Sequence, residues 1–266
     1  MEDVLDFVLA WGTSLPPEVV SVFVLFFSLA ALSLFHKIFG LTGLYLYNAL
    51  AICLANIQIL HITHYSFFSS PTPLGTVLFT TTFFANTLMT NLYGAKAARR
   101  GILLSFLAYS FFAFSMILSL LHVPVIGEGG EAQDASARPD AFLLQAQKNY
   151  EAIKCLFLPS LRILGASLFA FAASQLTSVA TFQRLKKGTK GHLLGLRHGA
   201  SIFLSSFVDH FLFSYLAFFL FVTPKPSLTM LWMGYGLDSF ILRYVVIGVC
   251  VLIPYLKNVF FHSKKV

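Results

Sequence analysis

Apolar residues in this chain come in blocks of about twenty, separated by short polar stretches. A block of that length suits a helix crossing about 30 Å of hydrocarbon. Reading for such blocks predicts helices at roughly 19–36, 42–60, 74–93, 101–123, 159–183, 200–222 and 239–256. Gly40, Pro71 and Pro73, the stretch 94–101, Pro124, the stretch 188–199, and Pro224 with Pro226 punctuate them. The pattern implies an all-α polytopic membrane protein, a bundle of about seven transmembrane helices with a six-helix core plus an N-terminal span. Six spans, with the first segment lying on the membrane, is the alternative. The chain reads as a single domain over 1–266. Its segment 124–152 is expected to be an extracytoplasmic loop, because "PVIGEGGEAQDASARPD" has no apolar period to bury.

Composition supports the same class. Hydrophobic residues make up 57% of the chain and charged residues only 11%. A soluble domain needs about 25% charged residues to face water, so most of this surface must face lipid. The net charge of +7 lies in short loops, where it sets topology rather than binding nucleic acid. "GAKAARR", "RLKKGTKGHLLGLR", Lys37 and the C-terminal lysines all fall on one face of a seven-span arrangement. The acidic N-terminus, "HITHYSFFSSPTP", the acidic loop and "TPKPS" fall on the other. The positive-inside rule then predicts a cytoplasmic C-terminus and an N-terminus outside. The acidic opening "MEDVLDF" also lacks the positive charge of a cleavable signal.

The candidate chemistry lies inside the apolar blocks. In "FANTLMTNLYG", Asn86 and Thr90 step by four from Thr82, so they share one helix face, with Thr87 and Asn91 beside them. Ser167, Ser174 and Ser178 share a face with Gln175 adjacent, and Arg162 lies near that helix's outer end. Ser201, Ser205 and Asp209 also step by four. Asn56 and Gln58 come late in the second span, and Arg243 lies one to two turns into the last. A Ser or Thr in such a helix commonly bonds its own preceding turn, and an amide can serve simply to join helices. Asp209 is different: an ionisable group midway along a span is a candidate functional site, its alternative being a structural pair with Arg162 or Arg243. The histidines of "HITH" lack a third ligand, and Cys53, Cys155 and Cys250 stand far apart, so no metal site or disulfide framework is expected. No hydrolase, nucleotide or paired-carboxylate motif occurs, which argues against an enzyme and calls for no cofactor.

"ANIQ", "YGAKAARR" and the block "SQ…FQRLKK…LR…S…D", in that order, resemble the queuosine-precursor transporter family, also called the vitamin uptake transporter family. The resemblance runs from about Gly43 to Pro254. It implies an inner-membrane importer of 7-deazaguanine bases (queuine or its cyano and aminomethyl precursors) working by secondary transport. Import of another vitamin-like solute and a non-transport membrane scaffold are the alternatives. The family's binding amides and acid fall on Asn56, Gln58, Gln175 and Asp209. With Asn86, Asn91, Arg162 and Arg243 these form the expected substrate-binding set. Expected partners are a small-molecule substrate and membrane lipid, not nucleic acid, with homo-oligomerisation open. The chain also departs from the family's usual pattern. Where "TDILNE" is usual it reads "NTLMTN", leaving Thr87 and Asn91 at acid positions. Ser178 replaces a further acid and Ser206 an amide. Those departures bear on the coupling ion and the solute.

Overall fold

A computed structural model describes residues 12, 14–59, 61–68, 71–123, 141–157, 161–190, 193–220 and 237–252. Within them the protein is all-α apart from one pair of two-residue strands. The helices are α1 (Pro17–Phe39), α2 (Leu41–Gln58), α3 (Gly75–Leu92), α4 (Gly94–Ser119), α5 (Ala141–Phe157), α6 (Leu161–Gly188), α7 (Leu194–Ser214) and α8 (Leu237–Leu252). A helix stands at each of the seven predicted spans. Four segments, Pro17–Phe39, Leu41–Gln58, Gly94–Ser119 and Leu194–Ala217, are long and apolar enough to cross a membrane on length and composition alone. The additional helix is α5, which occupies the second half of the segment read as a loop and extends five residues past it. Its Tyr150 hydroxyl donates to the Leu120 carbonyl at 3.2 Å.

The bundle is built around α3. Every residue from 75 to 90 is buried, and α1, α2, α4, α6, α7 and α8 all pack on it. A helix with this many hydroxyls and amides would be poorly placed against lipid, where unpaired polar groups cost several kcal/mol. Surrounded by other helices, it can keep them. Its threonines turn inward on their own backbone: Thr80 donates to the Thr76 carbonyl, Thr82 to Phe79, Thr87 to Phe84 and Thr90 to Asn86. The outer helices do the reverse. Phe23, Phe26, Phe27, Phe111, Phe114 and Phe169 point outward and are exposed, which would be a liability in water and is neutral in hydrocarbon.

Two glycines set the position of α3. A Cβ on Gly75 would run into the Ala55 carbonyl, so only glycine lets α3 begin in contact with the end of α2. At the far end Gly94 has φ +83°, a left-handed turn that glycine adopts without strain. It ends α3 and starts α4. The α2–α3 connection folds back onto α1: Glu18 accepts from both the N–H and the hydroxyl of Ser66 at 2.6 Å. Ser21 and the buried Tyr65 share a hydrogen bond of 2.6 Å. After α7 the chain continues as a wider π-turn, Tyr215–Leu220, a form that concentrates at functional sites.

Candidate functional site

Five helices converge at one end of the bundle. The last turn of α2 brings Asn56, the first turns of α3 bring Thr76 and Phe79, and the outer part of α6 brings Ser167. The far half of α7 brings Asp209 and Phe213, and the middle of α8 brings Arg243. Together they line a cavity of about 380 Å³, its open mouth included. The enclosed depth has room for about two water molecules.

An ion pair forms the polar wall. Arg243 donates from Nη1 to Asp209 Oδ2 at 2.6 Å, and both side chains are almost wholly withdrawn from solvent. The Ser174 hydroxyl lies 3.3 Å from the other carboxylate oxygen and shares its hydrogen with the Phe171 carbonyl at 3.1 Å. A lone charge at mid-span costs about 2.5–3.5 kcal/mol on insertion scales, and pairing largely cancels that cost. The guanidinium also lies 5.2 Å from the centre of the Phe79 ring, close enough for cation–π attraction. Its Nε–H makes no hydrogen bond. Asn56 completes the wall, accepting from Ser167 at 2.7 Å and donating to the Ile52 carbonyl at 2.8 Å. The site therefore offers a carboxylate, a guanidinium with a spare donor, an amide and two aromatic faces.

The other residues singled out from sequence lie elsewhere. Asn86 and Gln175 form a second buried cluster, about 10 Å further along α3 than Phe79 by helical rise. Asn86 donates to the Gln175 backbone carbonyl at 3.2 Å, and Gln175 donates to the Thr82 hydroxyl at 3.0 Å. Both amides thus tie α3 to α6. Asn91 lies half-buried in the last turn of α3, about 18 Å from Phe79 along the axis. Gln58 sits one turn from the cavity-lining Ala55 but is not itself among the lining residues. Arg162 is in the first turn of α6, and its side chain lies outside the described residues.

Sequence reading overlooked three buried groups. Asn48, in the middle of α2, is wholly buried with neither amide atom hydrogen-bonded. The others are Arg197 and His198. The seventh helix begins at Leu194 rather than near 200, so these two belong to the bundle and not to a loop. His198 Nδ1 meets the Thr87 hydroxyl at 2.8 Å, with its ring between Phe182 and Phe84 at 5.0 and 5.8 Å. Arg197 lies over the Phe182 ring at 5.3 Å. A signal was available: residues 197, 201, 205 and 209 step by four along one face.

Comparison with known proteins bears on this arrangement. Residues 73–256 match the family described as "Putative vitamin uptake transporter", a span that takes in α3 to α8. The chain belongs to this family. As a member of the vitamin uptake transporter family it is a multi-pass membrane protein. The chain is also similar to the "Probable queuosine precursor transporter" of Bacillus subtilis (strain 168), with 29% identity over 214 residues, covering 80% of this chain and 82% of that one. No solved structure matches it.

Proposed function

We propose that this family member imports a 7-deazaguanine base, of the queuosine-precursor class, by secondary transport across the inner membrane, without catalysing a reaction. The observation that carries this reading is the Asp209–Arg243 pair in the wall of a cavity that Phe79 and Phe213 also line. A guanine-like edge presents two adjacent N–H donors beside a carbonyl acceptor. A carboxylate can accept both donors, and a guanidinium beside it can donate to the carbonyl. The aromatic rings would cover the faces of the base, as sites for extruded bases do. The name of the Bacillus subtilis relative supports the same solute.

In this reading, binding is an exchange. The base replaces Arg243 on the carboxylate, and the freed guanidinium, already with one unused N–H, turns to the base carbonyl. The enclosed depth is too small for a bicyclic base, so the mouth has to widen. The π-turn after Phe213 and the latch between Glu18 and Ser66 are the nearby elements able to give way. The lining residues come from the helix ends that the positive-inside rule puts outside the cell, so the cavity would receive solute from outside. Asn56, Asp209 and Arg243 are the proposed binding residues. Asn86 and Gln175 act deeper on the path, while Gln58, Asn91 and Arg162 are secondary candidates.

The test is uptake of a labelled deazaguanine base by cells lacking their own route. Wild type should accumulate it, and Asp209→Asn should lose at least about nine-tenths of the rate. Equal uptake by the two would overturn the role given to Asp209. A ligand-dependent rise in thermal stability, screened across bases and other vitamin-like solutes, would identify the solute directly.

A further inference from the structure

The second buried cluster has a property its helix-joining role leaves unexplained. The network fixes which way both amides face. Asn86 must point its NH2 at the Gln175 carbonyl, because a carbonyl only accepts. The Thr82 hydroxyl already donates to Phe79, so Gln175 must present its NH2 to that oxygen. Both amide oxygens, Asn86 Oδ1 and Gln175 Oε1, are then left buried with no hydrogen bond. Ser178, one turn beyond Gln175 on the same face, is wholly buried and its hydroxyl is likewise unpaired. The hydroxyls of Ser201 and Ser206 on α7 are in the same condition.

The helix register brings these oxygens to one level. The helices α6 and α7 run antiparallel, with Ser174 meeting Asp209 and Phe182 meeting His198. Ser178, midway between Ser174 and Phe182, therefore lies opposite the turn from Ser201 to Ser206. The Asn86 amide is held against the turn of α6 that begins at Gln175. Oxygens without a hydrogen bond thus lie at about the same level of α3, α6 and α7, and the two amide oxygens can only accept. Hard cations bind such oxygens.

We propose that Asn86, Gln175 and Ser178 in the α3–α6 seam, completed by Ser201 or Ser206 of α7, bind a sodium ion that drives uptake. This rests on the transport reading above, since accumulating an uncharged base such as the cyano form against its gradient requires a coupled downhill ion. Among the described residues the one carboxylate lining the cavity, Asp209, is already bound to Arg243, whereas the seam supplies ligands that need no proton. The ion would also be linked to the cavity: Ser174, which holds Asp209, is the residue next to Gln175.

The experiment is thermal unfolding of the purified full chain in sodium chloride, potassium chloride and choline chloride at equal ionic strength, with no base present. The expected result is a saturable rise in Tm specific to sodium. Ser178→Ala removes a hydroxyl that bonds nothing, so it should fold and be as stable as wild type in choline, yet need about tenfold more sodium for the same rise. An equal Tm in all three salts would overturn the proposal, with a buried water then satisfying these oxygens. So would a sodium effect unchanged in Ser178→Ala. Sodium stabilisation without any response to deazaguanine bases would uphold the ion site while removing the solute assignment, so the two failures are distinguishable.

Discussion

The two ends of α3 are built from similar residues and do opposite things. Near Phe79 the helix borders a cavity whose wall carries a full ion pair. Near Thr87 it is closed off, with His198 bonded to the threonine and wedged between two phenylalanine rings. The difference lies in packing. At the cavity end the neighbouring helices bring Asn56, Asp209 and Arg243, polar groups that pair while leaving space. At the closed end they bring large rings that fill it. Among the described residues, α3 thus borders open space toward one end and packed rings toward the other.

The largest effect expected from breaking this contrast is at the ion pair. Asp209→Ala leaves Arg243 buried without its partner and should cost about 3–5 kcal/mol of stability, read by thermal or denaturant unfolding. The double change Asp209→Asn with Arg243→Gln should recover much of that stability while uptake stays lost. If uptake returned as well, the pair would be structural only. Next comes Gly75→Ala, whose added methyl meets the Ala55 carbonyl. It should cost about 1–3 kcal/mol through overpacking and lower uptake by shifting the cavity wall, whereas a glycine elsewhere with open space around it, such as Gly165, should tolerate alanine.

Smaller effects sharpen the comparison. Phe79→Ala removes the ring beneath Arg243 and should weaken base binding about tenfold, or about 1.4 kcal/mol, measured as a raised KM for uptake. Thr87→Val at the closed end removes the bonds to the Phe84 carbonyl and to His198, whose buried ring nitrogen loses its partner, and should cost about 1–3 kcal/mol while leaving base affinity at the cavity unchanged. A large loss of affinity in Thr87→Val would mean that the two ends are not separate regions.

Much of the fold was legible because span length is a local property. Twenty apolar residues are needed to cross the hydrocarbon whatever their neighbours, and a helix stands at each of the seven blocks read that way, four of them long and apolar enough to cross on length and composition alone. The helix α5 escaped this reading because its alternation of apolar and charged residues, as in "QAQKNYEAIKC", is too polar to form a block. The start of α7 was misplaced because Arg197 looks like a loop charge until a ring is seen beneath it. In the candidate site, the types of residue were visible but their partners were not. Asp209 had two arginines available in the sequence, and the structure places Arg243 on it.

The sequence by itself determined that this is a helical membrane protein, roughly where seven of its helices lie, and that amides, hydroxyls and one acid are buried among them. Each of those follows from composition and spacing along a single helix. Only the tertiary structure decided that α3 is the enclosed axis, that Asn56, Asp209 and Arg243 share a cavity, and that Asn86 and Gln175 lie apart from it. The physical reason is that a helix repeat shows which residues share a face, while what that face meets depends on the rotation and register of its neighbours. Those are set by contacts between segments far apart in the chain, such as Gly75 against Ala55 and Ser174 against Asp209.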